Sequence, residues 1–217
     1  MVDLGYQALI EHYESCLAKH GDSHLGVDWP TAEGADVRYR VMLDVIAPGA
    51  GRTKPQAAVT LLDFGCGAAH LAEYIERRDI RGIEYIGLDA SPQFVELSRR
   101  KFPSRQFHCI DVLAENAELP EADYIVMNGV LTEKRGLAFD QMQRYMERLL
   151  PRVFAAVRVG MAFNVMSKHV DWERDDLFHV PYDMLAAFLK ANVSRHFQFR
   201  ADYGLYEYTT YVYREPR

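Results

Sequence analysis

The chain has 217 residues, of which 49% are hydrophobic and 26% charged, and its formal net charge is −6. That length suits one domain with a full core, and an acidic chain with a pI near 5.8 lacks the basic footprint of a nucleic-acid partner. No membrane-length apolar run or apolar N-terminal signal is present, and the widely spaced Cys16, Cys66 and Cys109 exclude a disulfide frame and a Cys-x-x-Cys zinc site, so a cytoplasmic protein with reduced thiols is expected.

In chain order, Tyr6, Leu9, Ile10, Tyr13 and Leu17 recur at helical spacing and predict a first helix ending near Gly21. Val37, Val41, Val45 and Ile46 predict a second, before Pro48-Gly49. Between them, Gly21 to Gly34 reads as a non-repetitive loop holding Asp22, His24, Asp28, Trp29 and Pro30. Pro48 to Pro55, rich in glycine and basic residues, reads as a linker.

The next stretch organises the rest. Val59 to Leu62 is an apolar run of the kind that forms a buried parallel strand. It ends in Asp63 and the turn Gly65-Cys66-Gly67, after which Ala68, Leu71, Ala72 and Ile75 share one face of a helix. A strand, a Gly-x-Gly turn and a helix N-terminus make a nucleotide site, because glycine lets backbone approach the ligand and free amides face it. A second strand, Tyr85 to Leu88, ends in Asp89, at about the offset (~20 residues) where such folds keep a ribose-binding acid.

Two details choose the nucleotide. A dinucleotide fingerprint wants a small residue three positions after the second glycine, and that position is His70. Asp63 would set a negative charge beside a pyrophosphate, costing on the order of 1 kcal/mol or more at partial burial. The same acid would welcome an ammonium group. An adenosine that carries an amino acid instead of a diphosphate, S-adenosylmethionine, meets both conditions.

Further along, Ser91 and Pro92 predict a capped helix start, and Arg99, Arg100 and Lys101 its basic end. Gln106 to Ile110 and Asp123 to Asn128 predict the third and fourth strands. Phe139, Met142, Met146, Leu149 and Leu150 predict an amphipathic helix that Pro151 should kink or end. Met161 to Met166 predicts the fifth strand, opening into a polar segment, Ser167 to Pro181. A helix through Leu185, Ala186, Phe188 and Leu189 follows, then two alternating strands, Arg195 to Ala201 and Leu205 to Tyr213.

With these landmarks in order, the chain resembles the class I S-adenosylmethionine-dependent methyltransferases. The family's first motif, an acid followed by Gly-x-Gly-x-Gly, is matched by Asp63, Gly65 and Gly67, with Ala69 in place of the last glycine. Asp89, Asp111 and the segment Asn128-Gly129 match its later landmarks. The resemblance implies a Rossmann-like, doubly wound α/β fold with a seven-stranded sheet, mostly parallel with an antiparallel C-terminal hairpin, plus N-terminal helices. Residues 1–217 would form one methyltransferase domain, with 1–47 as a helical cover and 57–213 as the cofactor-binding core. It also implies that Asp63 faces the methionyl ammonium of S-adenosylmethionine, with Gly65, Cys66 and Gly67 around the methionine portion. Asp89, beside Ala90, would hold the ribose, Asp111 and the Val112 amide the adenine, and Asn128 and Gly129 would sit at the sulfonium.

The acceptor is read less directly. Base-directed amino-methyltransferases follow the fourth strand with Asn/Asp-Pro-Pro-aromatic, whereas this chain has Asn128-Gly129-Val130-Leu131. A small-molecule acceptor methylated on oxygen or nitrogen, such as a sugar or carboxylic acid, fits an acidic chain. Trp29 and Tyr39 are candidates to line its pocket, as are Trp172 and His179 in the polar segment, with His169 as general base. Against these stand plainer readings of the aromatics as helix packing and the histidines as surface or structural groups. Asp171, Asp175 and Asp176 read as a solvated charge run, and no metal is expected. Gly21 to Gly34 and Ser167 to Pro181 are expected to meet over the cofactor. Two other functions stay open. One is a nicotinamide-dependent oxidoreductase, disfavoured by His70, Asp63 and the C-terminal hairpin. The other is a protein that binds the cofactor without turnover.

Overall fold

A computed structural model describes residues 5–46 and 58–217, so the linker expected from Pro48 to Pro55 lies outside the described residues. Five parallel strands form the centre of the sheet: β1 (Val59–Phe64), β2 (Ile83–Asp89), β3 (Gln106–Cys109), β4 (Ala122–Met127) and β5 (Val157–Ser167). A two-residue β6 (His179–Val180) pairs with β5, and the closing strands β7 (His196–Arg200) and β8 (Glu207–Tyr213) run antiparallel. The spatial order is β3-β2-β1-β4-β5-β8-β7, with β6 off this path. The expected seven-strand plan and its antiparallel hairpin are therefore present, with β6 an added short strand. The order reverses between β1 and β4, and a crevice opens outside the carboxyl ends of strands at such a point.

Among the described residues, six α-helices cover the sheet: α1 (Gln7–His20), α2 (Ala32–Leu43), α3 (His70–Arg77), α4 (Pro92–Lys101), α5 (Phe139–Ala155) and α6 (Tyr182–Asn192). Alternation along β1 explains why two cores form. Leu62 and Phe64 face the side covered by α5 and α6, while Leu61 faces the side where α2 and α3 pack. The caps follow local chemistry. Ser91 accepts from the Phe94 amide at 3.4 Å with Pro92 as first helical residue of α4, and Thr31 accepts from the Gly34 amide at 3.1 Å to start α2.

Of the two outcomes expected at Pro151, a kink or an end, the end does not occur, and α5 continues to Ala155. An interior proline costs about 3 kcal/mol, but Val153 and Phe154 beyond it are buried on the sheet, and each such side chain returns about 1.5–3 kcal/mol. Tertiary burial outweighs the lost hydrogen bond.

Candidate functional site

The turn after β1 is where sequence dictates geometry most tightly. Gly65 stands at φ 72°, and a Cβ there would come within 2.6 Å of Val130 Cγ2 in the turn after β4. Glycine thus lets the two turns at the reversal point close on each other. Ala69, where the resembled motif has its last glycine, also stands left-handed at φ 57°, a conformation that costs an L-residue roughly 1–2 kcal/mol. α3 begins immediately after it.

Three carboxylates end successive strands here. Asp63, 3% exposed, accepts from the Tyr85 hydroxyl at 2.7 Å. Burial raises its carboxyl to about 7, with the Tyr85 hydrogen bond opposing and the nearby Asp89 charge adding to the rise. Asp89 accepts from the Gly67 amide at 2.8 Å and the Ser91 amide at 2.9 Å. Burial pushes its carboxyl up as well, against the pull of those amides. Asp111 accepts from the Leu113 amide at 3.0 Å and from the Tyr6 hydroxyl at 2.6 Å. All three line one cleft of about 1120 Å³, counting its open mouth, together with Gly65, Cys66, Gly67, Ala90, Val112, Asn128 and Gly129. Every residue expected to touch the cofactor therefore borders the same space.

α1 roofs this cleft and is fastened to each strand-end turn. Tyr6 bonds Asp111 after β3 and stacks on Tyr145 of α5, ring centroids 5.1 Å apart. Glu14 accepts from the Ser91 hydroxyl at 2.5 Å and from Gln93 at 3.0 Å, after β2. Tyr13 donates to the Gly129 carbonyl at 3.2 Å, after β4. Periodicity alone assigned Tyr6 and Tyr13 to the buried face of a helix, and their hydroxyls were the missed signal, since a buried tyrosine oxygen needs a partner.

Trp29 and Tyr39 both line the cleft. The Trp29 ring lies 4.1 Å from the Arg38 guanidinium, and a Cβ on Gly129, at φ 85°, would come within 2.9 Å of the indole. Arg38 pairs with the buried Glu207 at 2.7 Å, Glu207 accepts from Asn164 at 2.9 Å, and Asn164 accepts from the Gly129 amide at 2.8 Å. This chain of bonds runs from α2 through β8 and β5 to the end of β4. Asn128 borders it, with its side-chain oxygen 3.4 Å from the Asn164 amide.

The polar segment after β5 goes elsewhere. Its residues are not among those lining the cleft. His179 is buried in β6, its Nδ1 2.6 Å from the Ser167 carbonyl and its Nε2 accepting from the Arg174 amide. His169 is exposed and stacks on Tyr182, with centroids 5.2 Å apart, and Trp172 is 70% exposed. The cause is that β5 runs on to Ser167 and the segment folds back as β6, while Asp176 and Phe178 bond the backbone of residues 132–135. Gly21 to Gly34 reaches the cleft, through Val27 and Trp29, and Ser167 to Pro181 does not line it. Asp176 pairs with Arg174 at 2.5 Å and with Arg135 at 3.4 Å, as suits a solvated charge run.

Among the described residues, His12, Cys16 and Asp28 approach closely enough to hold a metal ion. Arg135 bonds both His12 and Asp28, so the protein's own cation supplies the positive charge there. No helix among the described residues is long and apolar enough to cross a membrane.

Comparison with known proteins agrees with this geometry. A family described as a methyltransferase domain matches residues 62–158. A Mycobacterium tuberculosis protein assigned as a methyltransferase is 30% identical over 155 residues, covering 69% of this chain and 90% of that protein. A trans-aconitate 2-methyltransferase from Methylobacterium nodulans is 30% identical over 136 residues, 61% of this chain and 47% of that protein. The chain thus spans about half the length of that second relative. Among solved structures, magnesium protoporphyrin IX methyltransferase from Synechocystis PCC 6803 with bound SAM superposes with a TM-score of 0.64 at 12% identity, covering 99% of each chain. A SAM-dependent methyltransferase from Leishmania major gives 0.66 at 14% identity, covering 99% of this chain and 87% of that one. Both likenesses are of fold.

Proposed function

Because the chain belongs to the class I S-adenosylmethionine-dependent methyltransferases, we propose that it methylates a small-molecule acceptor on oxygen or nitrogen, within a cleft closed by its own N-terminal helix. The cofactor, S-adenosylmethionine, supplies an activated methyl group on a sulfonium. The residues of the cleft fit that group. Backbone at Gly65 to Gly67 leaves room for an amino-acid chain, buried Asp63 meets an ammonium, and Asp89 has lone pairs left for ribose hydroxyls after its two amide bonds. Asp111 and the Val112 amide, between Ile110 and Leu113, would border the adenine, while Asn128 and Gly129 would hold the β4 side of the reacting centre.

The observation that carries the small-acceptor reading is the roof. Among the described residues, α1 is bonded to the turns after β2, β3 and β4 and covers the strand ends against a polymer chain, while a metabolite would fit beside Trp29 and Tyr39. These two aromatic walls would align the acceptor, and alignment alone is worth several kcal/mol in a displacement reaction. The relative named for trans-aconitate supports a carboxylic acid as the first acceptor to try. A carboxylate needs no general base, which accords with a cleft wall that does not include His169 or His179. Incubation with methyl-labelled cofactor and metabolite fractions tests the proposal. Label entering small acids or alcohols supports it, and label entering only protein or nucleic acid would sink it.

A further inference from the structure

The ionisable groups lining the cleft are unbalanced. Asp63, Asp89 and Asp111 are acids, the tyrosines and Cys66 are neutral in the physiological range or become negative, and among the described residues His70 is the one lining side chain that can become positive. A methionyl group brings a carboxylate as well as an ammonium. Held beside Asp63 by its ammonium, the ligand would set that carboxylate among acids unless one group answers its charge.

His70 is built for that task. It opens α3, at the positive end of a helix where an anion is favoured. Its Nε2 lies 2.8 Å from Asp22 Oδ1, and its Nδ1 has no hydrogen-bond partner among the described residues. Asp22 is held by Lys101 at 2.8 Å, and Lys101 in turn contacts Glu73 at 2.6 Å and the Ala68 carbonyl at 2.7 Å. Burial works against ionisation of Asp22, but the bonds from Lys101 and His70 outweigh it and hold its carboxyl below the usual range. An ionised Asp22 on Nε2 fixes the orientation of the ring, and in the doubly protonated imidazole Nδ1 is a donor.

Resting on the methyltransferase reading, the structure assigns His70 as the residue that receives the α-carboxylate of the cofactor's methionyl group, with Asp22 and Lys101 as its positioning residues. The position that set aside a dinucleotide thus acquires a use of its own. The three carboxylates recognise the adenosine and the ammonium, and the imidazole distinguishes an amino acid from a simple amine.

The test pairs two ligands with two proteins. Titration calorimetry measures S-adenosylhomocysteine and its decarboxylated analogue, S-adenosyl-3-thiopropylamine, against wild type and His70→Gln, with thermal melts to verify that each variant folds. The wild type should prefer the carboxylate-bearing ligand. His70→Gln should weaken that ligand by about tenfold or more while the analogue stays within about twofold, since only one of them has the charge-assisted bond to lose. Asp22→Asn should show the same pattern at smaller size. Equal losses for both ligands would make His70 a structural residue and overturn the assignment, as would no loss for either. If the wild type binds neither ligand, the methyltransferase reading itself falls, and the assignment with it.

Discussion

Asp63→Asn tests the proposed site most directly, because it keeps the side chain's shape and its acceptor for the Tyr85 hydroxyl while removing the charge. Burial raises this carboxyl from 3.8 to about 7, a rise of three units, so keeping it ionised in the free protein costs about 4 kcal/mol. The folded-state value lies above the unfolded one. Asp63 therefore contributes stability that is fully present below about pH 4 and is lost as pH climbs to about 7. The free wild type should lose up to about 4 kcal/mol through that window relative to Asp63→Asn, measured by urea unfolding. A ligand ammonium reverses the balance, since two opposite charges ~4 Å apart attract by about 4 kcal/mol at an effective dielectric near 20. Binding would then favour the ionised acid and release a proton. The ratio of wild-type to variant affinity for S-adenosylhomocysteine should rise roughly eightfold from about pH 6 to about pH 7.5. Taking the ratio cancels the titrating groups that do not interact with Asp63. Calorimetry in buffers of different ionisation enthalpy should show about half a proton released by the wild type near pH 7 and none by the variant. A flat ratio, with no proton released, would falsify the pairing of Asp63 with the ammonium.

Three further outcomes are expected. Asp89→Ala should weaken S-adenosylhomocysteine binding by about 1–3 kcal/mol, and an unchanged calorimetric affinity would remove Asp89 from the ribose. Glu207→Gln leaves the Arg38 guanidinium with no ionic partner where the pair is 10% and 1% exposed, so denaturant unfolding should show a loss of about 3–5 kcal/mol; a loss under about 1 kcal/mol would mean that water reaches the pair. His169→Ala, at an exposed ring outside the cleft wall, should change kcat/KM and stability by less than about 0.5 kcal/mol, and a drop of a hundredfold would return this histidine to the chemistry.

The elements that were legible in the sequence are those whose cause is local. The turn at Gly65 to Gly67, the acids closing β1 and β2, the Ser91 cap and the existence of β8 each follow from residues within a few positions, although β8 is buried along its whole length instead of alternating. What was not legible depends on partners far along the chain. Pro151 signals a helix end unless the burial of Val153 and Phe154 is known. The segment after Ser167 looks like a lid until the backbone of residues 132–135 claims Asp176 and Phe178. The flanks of His179, Phe178 and Val180, did carry a hint, because an apolar pair around a histidine favours burial over a place at the cleft. The couplings of Tyr6 with Asp111, Asp22 with His70 and Arg38 with Glu207 span wide sequence separations, and no local pattern announces them.

The two tryptophans have an optical consequence. Trp29 stands against the Arg38 guanidinium and Gly129 in the cleft wall, and Trp172 stands 70% exposed in a segment outside it. Excited together, the pair emits two signals that a soluble collisional quencher separates by degree, since it reaches the exposed second indole more readily than the partly buried first. The protected emission reports the reacting end of the cleft and the quenched emission serves as an internal reference. The protein thus carries its own reporter for ligand arrival, and the order in which cofactor and acceptor enter can be followed in real time without a label.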